Sequence, residues 1–331
     1  MKATLAVQNH RAMNDVIGSN VVSNDVIPDS VIVSQEFGAG LLTDFFAFLD
    51  VTPKTTATYQ RALRQLFRYF TENGIVRPSR EDILNFKKAL ESAGRKPSTV
   101  ALYLAAARRF FAWTEQRGIC PNVALGVKAP RQEHGHKRDF LGATQLKAIF
   151  SGMKHDTLRE RRDFAIIALM SVGGLRTIEI SRANIEDMRT LGDCTVLYVQ
   201  GKGRKDRTEF VKLPVQVQKA INDYLALRGN VSDTAPLFAS IGNRNRNGRM
   251  NIRTISVIAK TAMRNAGYNS SRLSAHSLRH SAVTLSLLGG MSISEVQAFA
   301  RHSNISTTTI YAHTVDRIRS MCEDTVANAI F

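Results

Sequence analysis

The chain has 331 residues, a formal net charge of +17 at pH 7 and a pI near 10.2. That length leaves room for two domains and a sizeable core, and that charge implies a polyanionic partner. A membrane surface is disfavoured, because no apolar run approaches the roughly 18 residues of a span and no charged segment followed by an apolar one opens the chain. Nucleic acid is the expected partner. Cys120, Cys194 and Cys322 are odd in number and widely spaced, which fits a reducing cytoplasm and makes neither a disulfide framework nor a metal motif.

Residues 1–36 carry Lys2 and Arg11 against Asp15, Asp25, Asp29 and Glu36, so the basic charge lies beyond them. They hold an imperfect duplication, NDVIGSNVVS and NDVIPDSVIV, and their polar, turn-rich composition predicts a flexible tail, with a partner-docking strand as the alternative. Residues 37–126 predict a small all-helical domain. Tyr59, Leu63, Leu66, Phe67 and Phe70 form one stripe on a helix over Thr55–Asn73, whose other face bears Arg61, Arg64 and Arg68. A shorter helix is expected over Ser79–Ser92, and Ser98 is expected to cap a long helix through Val100, Leu104, Ala107 and Phe111. The three arginines, with Lys96 and Arg108, are candidates for contacts to a phosphate backbone; the plainer alternative is a solvated helix face. Residues 127–139, charged and poor in apolar side chains, read as an exposed linker.

A second domain is expected over 140–331. A helix around Ala143–Met153 precedes an apolar, hence buried, helix over Arg161–Ser171, which ends in GGLRTIEI with Arg176 and Glu179. A core helix gains nothing from an arginine there, and Glu179 is placed to orient a neighbouring cation. Two β-rich segments, CTVLYVQ and RTEFVKLP, flank GKGRKD, which predicts a hairpin with Lys202 at its tip. That motif lacks the spacing of a phosphate loop, and no helix follows it. An amphipathic helix over Pro214–Gly229, a basic loop at 241–253 with Arg244, Arg246 and Arg249, and a helix over Ile255–Ala266 come next. The fold class is mainly α with a small β-hairpin or sheet.

The stretch 275–313, AHSLRHSAVTLSLLGGMSISEVQAFARHSNISTTTIYAH, places His276, Arg279, His302 and Tyr311 among two helix patterns separated by Gly289-Gly290. Arg279 can meet two phosphate oxygens at once, and the histidines can donate to others or move a proton near neutral pH. Tyr311 is the candidate nucleophile, a phenol of ordinary pKa about 10 that needs nearby cations or a base. Each feature alone is more often structural; the combination is not. Zinc binding by His276 and His280 is disfavoured, since position 277 is Ser where a metalloprotease helix carries Glu.

HxLRHS, then His302 and, nine positions on, Tyr311, resembles the C-terminal signature of the tyrosine recombinase (phage integrase) family. GLRTIE around Arg176 and the hairpin Lys202 resemble that family's two upstream signatures, and the resemblance covers roughly 37–330. One departure stands out: the family usually has Gly immediately before the second His, where this chain has Arg301, a side chain that could itself reach phosphate. The resemblance implies a two-domain DNA clamp with an all-helical N-terminal core-binding domain, and a strand cleavage that needs neither metal nor ATP. In it Tyr311 attacks phosphorus, Arg176 and Arg279 hold the non-bridging oxygens, His276 accepts or shuttles the tyrosine proton, His302 donates to a phosphoryl oxygen and Lys202 acts on the leaving group, with Lys205 the rival lysine. The implied partners are double-stranded DNA with paired inverted-repeat sites, a homo-tetramer on that DNA and accessory proteins, at the nucleoid in a bacterial cytoplasm. A helix over Val315–Ala329 is expected to close the chain and dock on a neighbouring protomer. A type IB topoisomerase and a non-catalytic DNA-binding regulator are the alternatives.

Overall fold

The structure, a computed structural model, describes residues 35–131, 139–201 and 206–331. Nearly all of the expected tail, residues 132–138 of the expected linker, and Lys202 and Lys205 lie outside the described residues, as does the side chain of Arg244. The chain divides into two compact units, Met1–Glu133 and His134–Phe331.

The described part of the first unit is helical: α1 (Gln35–Phe48), α2 (Pro53–Glu72), α3 (Arg80–Ser92) and α4 (Pro97–Gln116). Thr52 caps α2, its side chain accepting from the Thr55 amide ahead of Pro53 at the first helical position, and Ser79 with Asp82 forms a capping box on α3. Ser98 does not cap α4. Lys96 holds the cap position and makes no side-chain bond there; Pro97, whose ring fixes a helical φ, takes the first helical position, so Ser98 already lies inside the helix. The apolar stripes converge on a core of Leu63, Leu66, Phe70, Ile83, Phe86, Leu104, Phe110 and Phe111. Phe110 is its centre, with Phe45 and Phe67 edge-on at 5.4 Å each and Phe111 at 5.3 Å.

The second unit runs α5 (Ala143–Ser151), α6 (Leu158–Val172), α7 (Thr177–Arg182), a 3-10 turn (Ile185–Asp187), β1 (Met188–Leu191), β2 (Cys194–Val199), β3 (Glu209–Lys212), α8 (Val215–Arg228), α9 (Ile252–Asn265), α10 (Ala275–Leu288), α11 (Ile293–Ala300), α12 (Ser306–Arg319) and α13 (Cys322–Ile330). The strands make one antiparallel sheet in sequence order, with Met188 opposite Leu197 and Val199 opposite Glu209. β1 has no counterpart among the sequence expectations: it is four largely exposed residues, too short for an alternation to register. Helix α6 is buried as its apolar run predicts, within a core that includes Ile166, Leu169, Leu197, Ile221, Ile255 and Leu278. A buried bond from the Leu141 amide to Ser281 Oγ (2.7 Å) ties the start of this unit to α10.

A smaller cluster of Val283, Leu287, Val296, Ala300, Tyr311 and Val315 joins α10, α11 and α12. The closing helix differs from expectation. Tyr311 lies within α12, which continues through the buried Val315 to Arg319; the chain is extended at Ser320 and only Cys322–Ile330 forms the last helix. Arg319 at the end of α12 donates to the carbonyls of Leu287 (3.2 Å) and Leu288 (2.6 Å) in the last turn of α10, the first of which also accepts from the Gly290 amide at 3.0 Å.

Replacing Phe110 by Ala should cost the first unit about 3–5 kcal/mol, the usual scale for an aromatic core truncation. Denaturant unfolding followed by Trp113 fluorescence measures it, since Trp113 lies 6.1 Å from the Phe110 ring.

Candidate active site

The site begins where α6 stops. Gly173 caps that helix and Gly174 follows with φ +60, the left-handed region that favours glycine. A Cβ at Gly174 would also stand 3.3 Å from the Phe299 ring. This turn delivers Arg176 to the cap position of α7, where its amide (2.9 Å) and Nη1 (2.7 Å) both donate to the carboxylate of Glu179. Glu179 is fully buried. Burial alone would raise its pKa, but the Arg301 charge, the Arg176 amide and the Arg176 charge outweigh it and hold the carboxyl below the usual range.

Arg301 is the unforeseen member of this group. Helix α11 closes with a Schellman pair, the Arg301 amide to the Ala298 carbonyl (3.0 Å) and the His302 amide to the Gln297 carbonyl (3.1 Å), so Arg301 occupies the position where glycine is usual. It does so at φ 55 and ψ 47, a left-handed backbone that costs a residue with a Cβ about 1 kcal/mol or more. Its guanidinium does not face outward to a phosphate, contrary to the expectation from sequence. Nη2 pairs with Glu179 at 3.0 Å and donates to the Gly174 carbonyl at 3.3 Å, while Nη1 donates to the Phe299 carbonyl at 2.8 Å. Burial lowers its pKa against the opposing pull of Glu179.

Arg279 enters from α10 and is almost completely buried. It donates through Nη1 to the Gly174 carbonyl and through Nη2 to the Ala300 carbonyl, and Arg176 Nη2 donates to the Arg301 carbonyl at 3.3 Å. Burial, with Arg176 and Arg301 nearby, pulls the Arg279 guanidinium down to about 9, so it is still a cation at neutral pH.

The rings form a chain alongside these cations. His276 and His280, one helical turn apart on α10, have centroids 4.7 Å apart; His280 lies 5.0 Å from Tyr311, and His302 stacks near Tyr311 at 6.1 Å and 22°. His302 Nδ1 is 3.0 Å from the hydroxyl of buried Thr308. Burial, then the charges of Arg279, Arg176 and Arg301, pushes His302 down to about 4, so its imidazole is neutral at pH 7. Burial pushes the Tyr311 phenol up to about 12, and the opposing pull of Arg279 and Arg176 does not reverse this. The cations expected to activate the phenol are therefore present, yet in the unbound protein desolvation outweighs them.

Arg176, Arg279, His302 and Tyr311 thus share one site, and His276 joins it through His280. Sequence reasoning missed Thr308 and the ring contact of His280; the only signals were the TTT run six residues after His302 and the i, i+4 histidine pair. The residues flanking the 202–205 segment are held by arginines: Arg182 donates to the Gly201 carbonyl (3.1 Å), and Arg207 to Asp187 (2.9 Å) and the Arg182 carbonyl (3.2 Å).

The candidate DNA contacts divide. Arg61, Arg64 and Arg68 are exposed on α2, with Arg68 also 3.1 Å from Glu72; Lys96 and Arg246 are exposed too. Arg108 is half-buried and donates to the Val127 carbonyl at 3.2 Å. Arg249, also exposed, donates to the carbonyls of Ser181 (2.8 Å) and Ala183 (3.3 Å) and to Asn184 (2.6 Å) at the end of α7.

The profile of the phage integrase family matches residues 139–317, and that of the phage integrase N-terminal SAM-like domain matches 42–118. The chain belongs to the phage integrase family and is an enzyme of the tyrosine recombinase type. It is 30% identical over 272 residues to the tyrosine recombinase XerC of Haemophilus influenzae, covering 80% of this chain and 87% of that one. It is 32% identical over 225 residues to the XerC of Caldanaerobacter subterraneus subsp. tengcongensis, a match spanning 66% of this chain and 60% of that protein's length. In fold it is similar to the XerH site-specific recombinase bound to a palindromic difH substrate, with a TM-score of 0.66, 16% identity, and 86% and 87% of the two chains covered.

Two outcomes are expected. Glu179→Ala leaves two guanidiniums without their carboxylate and should cost about 3–5 kcal/mol in chemical unfolding. Because the His302 pKa is lower folded than unfolded, the unfolded chain binds the extra proton: the associated stability is complete above 6.5 and is lost as pH falls toward about 4. His302→Gln should flatten that part of the stability profile.

Proposed function

We propose that this protein is a site-specific DNA recombinase that cuts and rejoins strands through a 3′-phosphotyrosine link at Tyr311. The observation that carries the reading is the convergence of Arg176 and Arg279 with His302 on a single buried tyrosine, in a chain of net charge +17. Attack of the Tyr311 oxygen on the phosphodiester forms a five-coordinate phosphorus, and the 5′ oxygen departs as the phosphotyrosine bond replaces the broken one. Arg176 and Arg279 are fixed donors whose charge favours that state over the ground state; losing one should cost about 10²–10³ in rate by analogy with oxyanion-hole donors.

A neutral His302 that accepts from Thr308 at Nδ1 carries its proton on Nε2, which makes it a hydrogen-bond donor to a phosphoryl oxygen without a formal charge. His276 accepts or shuttles the phenolic proton; the His280 ring lies 4.7 Å from that of His276 and 5.0 Å from that of Tyr311. Since the free phenol is held at about 12, deprotonation belongs to the DNA-bound state. Lys202, outside the described residues, protonates the departing 5′ oxygen.

The helical first unit binds DNA through Arg61, Arg64, Arg68 and Lys96, with Arg246 and Arg244 adding contacts from the second. Arg108 and Arg249 add to that set; each also donates to backbone carbonyls, as Arg279 does. The site is composite in the assembled state: four copies act on paired inverted-repeat sites at the nucleoid, and α13, with Val326, Ile330 and Phe331 exposed, docks on a neighbouring copy. Accessory proteins would set the direction of exchange.

A random-sequence duplex library tests the reading. Wild-type protein should capture DNA covalently, the captured sequences should contain inverted repeats, and Tyr311→Phe should bind DNA without capturing any. A denaturation-resistant complex in that variant would overturn the nucleophile, and relaxation of a plasmid lacking the selected site by a monomer would point to a topoisomerase. Replacing the bridging 5′ oxygen by sulfur removes the need for an acid. Lys202→Ala should then cleave the sulfur-bridged strand at near wild-type rate and ordinary DNA slowly, whereas Arg176→Ala should be slow on both; rescue of Lys205→Ala in place of Lys202→Ala would reassign the lysine.

A further inference from the structure

Arg301 breaks a local rule, and of its side-chain partners only the Phe299 carbonyl is local. Glycine would take its left-handed backbone freely, and arginine does not. Its side chain is buried, with partners that all belong to the site: the carboxylate of Glu179 and the carbonyls of Gly174 and Phe299. Its own carbonyl accepts from Arg176, and the carbonyl just before it accepts from Arg279. The turn at Arg301 therefore lays two successive acceptors against both arginines that the proposed mechanism uses, while its guanidinium grips the carboxylate that holds one of them.

On the reading that Arg176 and Arg279 stabilise the cleavage transition state, we infer that Arg301 is a positioning residue for strand cleavage, acting through Glu179 and the Gly174 carbonyl to lock both guanidiniums in place. A side chain engaged in this way does not compete for the phosphate, and it replaces a freely jointed turn by one cross-braced to α7. The groups that face Glu179 are Arg176 on its own helix and Arg301 at the end of α11, with Arg279 of α10 also acting on it; Glu209 of β3 acts on Arg301. Withdrawing the Arg301 charge removes the strongest influence that keeps Glu179 ionised, and a protonated Glu179 no longer holds Arg176.

The test uses a nicked duplex carrying the site selected by the wild-type protein, with the rate of covalent adduct formation at saturating DNA followed from acid to neutral pH. R301G, which suits the backbone, should slow cleavage by about 10–100-fold, the scale for groups that orient catalytic ligands. Its affinity for the duplex should be unchanged, and the acid limb of its rate profile should move to higher pH, because a Glu179 with a higher pKa is lost sooner as pH falls. R301K, which restores one charge beside Glu179, should bring both rate and limb part of the way back. A wild-type rate and limb in R301G, a slowed R301G whose limb has not moved, or an R301K no better than R301G would each overturn the inference. Should R301G fail to fold, R301Q, which keeps length without charge, carries the same expected and overturning outcomes. If the wild type itself forms no adduct, the recombinase reading falls first and this inference with it.

Discussion

The second unit is built around a carboxylate that water does not reach. Glu179 is fully buried, and an unpaired buried carboxylate would be intolerable. Its stability depends on Arg176 and Arg301, one from its own helix and one from the end of α11. Those two helices lie far apart in sequence, so the ion pairs fix tertiary geometry as well as charge. Such a cluster is poor material for stability alone, since a hydrophobic replacement is often as stable. Its use is to orient: each guanidinium is held on several sides at once and cannot wander.

Around this centre the apolar packing sets where Tyr311 sits. Val283 and Leu287 of α10, Val296 and Ala300 of α11, and Val315 of α12 enclose the phenol ring, so the tyrosine is placed by ordinary core packing on helices that also carry Arg279 and the turn before His302. Chemistry and packing share a face on two of these helices, since Arg279 and Val283 on α10, and Tyr311 and Val315 on α12, are each one helical turn apart. The cost falls on the hydroxyl, whose burial makes ionisation harder in the free protein.

Much of this was legible in the sequence because the relevant signals are short-range. The helix stripes of α2 and α4, the apolar run of α6 and the glycine break before Arg176 all appear where periodicity and turn chemistry put them. The errors have physical causes. Ser98 is a reasonable cap by side-chain preference, but the helix already begins at Pro97, which leaves Ser98 inside the first turn. The division of the last helix was invisible because Ser320 and Met321 are not helix breakers; the break goes with Arg319 turning back onto the α10 carbonyls, a contact between residues about 30 positions apart. The carbonyl partners of Arg249 and Arg108 carry no local signal, since they lie 68 and 19 residues away. Arg301 has a partner that no local pattern shows: Glu179 lies 122 residues earlier in the chain, where the sequence leaves only a contact to phosphate in view.

The charge balance of the site suits what has to pass through it. Arg176, Arg279 and Arg301 bring three positive charges against the one negative charge of Glu179, and His302 stays neutral. On the proposed reading, a phosphodiester brings one negative charge, and the five-coordinate state adds a second. Positive charge therefore remains in excess when substrate binds and faces the second negative charge that develops as Tyr311 bonds to phosphorus, which is the condition for binding energy to lower the barrier instead of deepening the ground state. Burial, and then the same three arginines, keep the His302 imidazole from adding a further charge. The excess of positive charge in the free protein is tolerable because it is spread over rigid guanidiniums that are each bonded to carbonyls or to Glu179, so the field already points at the place where the new charge develops and little rearrangement is needed when it does.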